Sequence, residues 1–149
     1  MDPKSKAAAD EIRKMLDETV KQKKEATDKE EDSWKFIKLI KDSLNVVVAE
    51  NLKPAFEERG KSLQIIFPEK SNLIEVLYYP QIKLKETTGV NTAALRIEFL
   101  PKDGIAQVFK RESFYSPFTK VGQVVITDQK SIETLTDATI DFAKGLAVN

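Results

Sequence analysis

The side chains that could do chemistry in this chain are carboxylates, lysines, arginines, tyrosines and hydroxyls, because it contains neither histidine nor cysteine. Without them the commonest general base and the two best transition-metal ligands are missing. A Ser-His-Asp or Cys-His triad cannot be assembled, nor a zinc or haem site of the usual kind. A pair of carboxylates acting as acid and base, or carboxylates holding Mg²⁺, remains open. Glu75 with Glu98 or Asp103 is one such combination, and stands for the alternative reading of a carboxylate-dependent hydrolase. Glu57 and Glu58 read better as a solvated helix end. The five glycines are scattered, forming neither a Walker loop nor a G-x-G-x-x-G turn. The sequence therefore nominates no catalytic residue, no metal ligand and no cofactor.

The strongest binding signal is the run "RESFYSPFTK", residues 111–120. Phe114, Tyr115 and Phe118 are crowded among turn-forming Ser and Pro, with Lys110, Arg111 and Lys120 alongside. Rings of this size are usually buried, so the rim of the core is one destination for them. The other is a recognition loop that grips a peptide or stacks on a base. Phe114, Tyr115, Phe118 and Arg111, joined by Tyr79 from a neighbouring strand, then form the expected surface. A second candidate is a small-molecule or lipid pocket between sheet and helices, lined by Trp34, Phe36, Tyr78 and Phe99. "KETTGVN", residues 85–91, reads as an ordinary strand connection with a smaller claim to binding.

These residues need a scaffold, and the hydrophobic periodicity supplies one. Ala7 to Lys24 reads as a helix with a narrow apolar stripe of Ile12, Leu16 and Val20, with Met15 beside it. The charged stretch 21–32 reads as its solvated end and a linker. Asp32 or Ser33 could cap a second helix carrying Trp34, Phe36, Ile37, Ile40, Leu44 and Val48, with Pro54 breaking it or serving as the N1 residue of a new turn and Gly60 closing the segment. Alternation then takes over. Strands are expected at 62–67, with Leu63, Ile65 and Phe67 on one face, and at 73–79, 82–85 and 92–100. Others follow at 105–110 and 121–127. "PKDG", 101–104, is a hairpin turn. A last helix starts near Asp128 or Ser131, its stripe of Ile132, Leu135, Phe142 and Leu146 interrupted by Thr139.

Short sequential strands imply an α+β fold: an antiparallel five- to six-stranded meander sheet with N-terminal helices and a C-terminal helix packed on it. Residues 1–32 form an amphipathic helix and charged linker, and 33–149 a single α+β domain. The strands at 73–79 and 121–127 are apolar on both faces, which calls for a second cover. The first helix could supply it, or a second copy in a homodimer.

Lys plus Arg equal Asp plus Glu at 24 each, so the basic surplus that usually accompanies nucleic-acid binding is missing. A protein or peptide partner is favoured over nucleic acid. The chain has no apolar run long enough for a membrane span and no secretory hydrophobic segment at its start, and with the absence of cysteine this points to a cytoplasmic setting. The expectation is a non-enzymatic interaction or adaptor domain.

Overall fold

The structure, a computed structural model, describes residues 3–68, 72–81, 92–126 and 129–148. Its elements run α1 (Pro3–Asn45), a π-helical segment (Val46–Leu52), α2 (Lys53–Glu57), β1 (Ser62–Ile66), β2 (Leu73–Tyr79), β3 (Ala93–Leu100), β4 (Ile105–Arg111), β5 (Thr119–Val125) and α3 (Gln129–Ala147). The fold is α+β. Five antiparallel strands lie in the order β1-β2-β3-β4-β5, a meander in which every strand pairs with its neighbour in sequence. The expected strand at 82–85 and the connection at 85–91 lie outside the described residues.

The N-terminal half differs from the expectation of two helices and a linker. α1 is one helix of 43 residues, about 65 Å long at ~1.5 Å per residue. Residues 21–32 are helical throughout. They contain no Gly or Pro, and Lys and Glu are good helix formers, so a dearth of apolar residues removes packing without removing helicity. Ser33 is no cap: it sits inside the helix, 3% exposed, and donates its hydroxyl to the carbonyl of Lys29 at 2.9 Å.

Helix geometry changes where the sequence turns β-branched. The Val46–Leu52 segment is π-helical, and the backbone N–H of Lys53 donates five residues back to Val48. Pro54 lies in the first turn of α2, where its missing N–H costs least. Gly60, at φ +73°, ends the segment in a Schellman motif: Lys61 N–H donates to Phe56 and Gly60 N–H to Glu57, both at 3.0 Å.

One face of the sheet carries the core. Leu63, Ile74, Val76, Leu95, Ile97, Phe99, Ala106 and Val108 meet Ile37, Ile40, Leu44 and Val48 from the helical half and Ile132, Leu135, Phe142 and Ala143 from α3. β3 alternates as expected, with Leu95, Ile97 and Phe99 all at or below 1% exposure and Arg96 and Glu98 on the other face. Phe67 falls beyond the end of β1 and is 37% exposed. Thr139 keeps the α3 stripe continuous by donating its buried hydroxyl to the Leu135 carbonyl at 2.9 Å. The turn at 101–104 forms as read, with Gly104 at φ +66°.

The start of α1 does not cover the opposite sheet face. Ile12, Met15, Leu16 and Val20 are 55–66% exposed, so the stripe projects into solvent.

A candidate binding surface at the β4–β5 loop

The residues between β4 and β5 form a tight turn from Ser113 to Ser116. The N–H of Ser116 donates to the Ser113 carbonyl at 3.1 Å, and the two hydroxyls lie 2.7 Å apart. This places Phe114 and Tyr115 at the turn's apex, the two positions of a β-turn that point away from the chain behind it. They pack edge-to-face, with ring centroids 5.3 Å apart. Tyr115 is 92% exposed and Phe114 45%, so neither ring reaches the core.

Phe118 behaves differently. It lies back on the sheet face opposite the core, partly buried, with the Arg96 guanidinium 4.0 Å and the Arg111 guanidinium 4.8 Å from its ring centre. Register explains the meeting: Arg111 pairs with Ala94 across β3–β4, two residues from Arg96 on the same face. Arg96 also reaches Glu75 on β2 at 3.4 Å, between partly buried side chains. Two guanidinium groups over one ring hold Phe118 against this part of the sheet, fixing the base of the loop while its tip stays exposed.

The loop forms one wall of a cleft of about 830 Å³. Arg111, Glu112, Ser116, Pro117 and Thr119 line that side, and Phe142, Gly145 and Leu146 at the end of α3 line the other. Tyr78, Ala93 and Lys110 contribute from the strands and Thr92 from just before β3. The Lys110 ammonium lies 6.0 Å from the Phe142 ring centre. The cleft thus has an apolar lining, two cationic side chains and one carboxylate at its edge, and Thr and Ser hydroxyls along the wall.

The structure separates the residues that the sequence nominates. Phe114, Tyr115, Phe118 and Arg111 come together as one loop surface. Tyr79 does not present itself there, being 5% exposed. The structure places the four proposed pocket residues in different surroundings. Phe99 is 1% exposed within the core, and Trp34 is exposed on α1. Phe36 borders a shallow hollow against Gly104 and Ile126, while Tyr78 borders the main cleft. Alternation marks Phe99 as inward but cannot say that the space in front of it is filled. Among the carboxylates, Glu75 is held by Arg96 and Asp103 lies exposed in the β3–β4 turn. Sequence reading missed the α3 side of the cleft, Phe142 and Leu146, because those residues carry only a helical core signal.

No family model, curated protein or solved structure matches this chain.

Proposed function

We propose that this protein is a non-enzymatic interaction domain that binds an extended segment of another protein at the β4–β5 loop and its cleft. The observation that carries this reading is the exposure of Tyr115 and Phe114 on a turn whose base is clamped by stacked Arg96, Phe118 and Arg111. Rigid aromatic side chains held in solvent lose little conformational entropy on binding and bury a large area. Lys110 and Arg111 outnumber Glu112 at the cleft edge, so the reading selects a segment with an apolar anchor followed by a carboxylate. β5 lies at the sheet edge beside the loop, where such a segment could run. Among the described residues no helix is long and apolar enough to cross a membrane. The cysteine-free composition favours a cytoplasmic partner.

The test is selection from a displayed peptide library on the immobilised protein. Enriched peptides should carry an aromatic or aliphatic anchor near an Asp or Glu. Phe114→Ala/Tyr115→Ala should weaken the best of them at least about tenfold. Absence of enrichment, or binding indifferent to that double variant, would overturn the reading. A small apolar ligand in the same cleft is the second reading, favoured by a volume inside the usual ~300–1,000 Å³ range of ligand sites. It expects Phe142→Ala to abolish uptake of an apolar dye and Tyr115→Ala to leave it unchanged.

A further inference from the structure

Lys110 stands where β4 should carry a core residue. The strand register sets Val76, Leu95, Lys110 and Thr119 in one row across the sheet. The two preceding β4 residues on that face, Ala106 and Val108, are buried. Lys110 therefore runs its stem along the α3 side of the sheet and brings its ammonium to the Phe142 ring, 6.0 Å from its centre. No carboxylate among the described residues lies within ion-pair distance of that ammonium. Arg111 is engaged elsewhere. Its guanidinium lies 4.8 Å from the ring centre of Phe118 and 5.5 Å from that of Phe114. Of the two cations at the cleft, Lys110 is thus the one placed to meet a bound anion. Thr119, opposite Lys110 in register and also on the cleft wall, adds a hydroxyl close by.

The other half of the recognition lies on α3. Gly145 lines the cleft with Phe142 and Leu146. Unlike Gly60 and Gly104 it has no positive φ, and a Cβ added to it would meet nothing within 4 Å. Neither backbone geometry nor packing within the chain calls for glycine here, and glycine weakens a helix relative to alanine. What the missing side chain does provide is room in front of Phe142 and Leu146.

We infer that Lys110 and Gly145 are the specificity determinants of the cleft: Lys110 holds a carboxylate of the bound segment, and the space over Gly145 takes the apolar side chain beside it. This rests on the peptide-binding reading and adds to it which cation reads the acid and where the anchor sits. The carboxylate has two sources, an Asp or Glu side chain and the segment's own C-terminus. Glu112, the one carboxylate lining the cleft, opposes the bound acid.

The probe is the strongest peptide selected on the parent protein, its affinity read by fluorescence polarisation. Lys110→Met, which keeps the stem and removes the charge, should weaken it several-fold. Lys110→Glu should weaken it at least about tenfold, and Glu112→Gln should tighten it. Selection repeated on Lys110→Glu should enrich Lys or Arg in place of the acid around the same anchor. Gly145→Trp should abolish binding at an unchanged thermal midpoint. Loss on amidating the peptide's C-terminus assigns the terminal carboxylate, and loss on exchanging its acidic residue for the amide assigns the side chain. Affinity indifferent to both changes would overturn the carboxylate. A peptide that both Lys110 variants bind as tightly as the parent does, while Phe114→Ala/Tyr115→Ala weakens it, would overturn the assignment of Lys110 and leave the loop reading standing. Unchanged affinity in Gly145→Trp would overturn the anchor seat. If the parent selects no peptide, the loop reading falls and this inference falls with it.

Discussion

At Gly104 two demands fall on one residue. Its φ of +66° suits a residue without a Cβ, and α1 passes so close that an added Cβ would press on the Lys29 side chain. Gly104→Ala should therefore cost about 1–2 kcal/mol, measured as a shift in urea midpoint at unchanged m-value. Gly60→Ala keeps the backbone strain but has open space around it, so its cost should stay near ~1 kcal/mol. The aromatic loop divides in the same way. Tyr115→Ala should leave stability within about 0.5 kcal/mol of the parent, because its ring is exposed. Phe99→Ala empties a fully buried site and should cost about 3–5 kcal/mol. A large loss with Tyr115→Ala would mean that the turn holds the sheet together rather than presenting a ring.

α1 shows how element and packing can part company. Its charged middle lacks an apolar stripe and is helical nonetheless, because propensity and i,i+3 pairs such as Asp32–Lys35 at 3.8 Å favour the helix locally. Such exposed pairs contribute only tenths of a kcal/mol each, so the helical hydrogen bonds of the first 28 residues should open far more readily than those around Ile40. Amide hydrogen exchange should show this as a gradient along one helix. Uniform protection along α1 at low concentration would show that the first half is packed on the domain after all.

For the whole molecule, the sheet's two faces set the distribution of stability. The core face is closed by α1 and α3. The other face is a mosaic in which Arg96, Glu75 and Phe118 cover one another among partly buried Leu73, Leu77 and Phe109. Removing Arg96 uncovers both Glu75 and the Phe118 ring. Arg96→Ala should then lower the thermal midpoint and loosen the β4–β5 loop, and the loss should far exceed that of Arg96→Lys if charge, rather than planar stacking, is what matters. A loss as great with Arg96→Lys identifies the stacked guanidinium plane as the cause.

The sequence by itself determined the element types, the antiparallel meander, the β3–β4 turn and the inward residues of β3. These follow from short-range periodicity and from turn chemistry that only a few residues satisfy. The Gly60 cap was legible for the same reason. Local pattern could not decide what stands opposite each face. The charged stretch 21–32 looked like a linker because hydropathy measures packing, whereas helicity there rests on backbone propensity. Tyr78 and Tyr79 are neighbours of one residue type, yet one joins the core cluster and the other lies buried on the opposite face. Phe142 meets the loop walls only because α3 folds back across the sheet. Tertiary structure decided these matters, because burial depends on surfaces brought together from distant parts of the chain, and no window of sequence contains both.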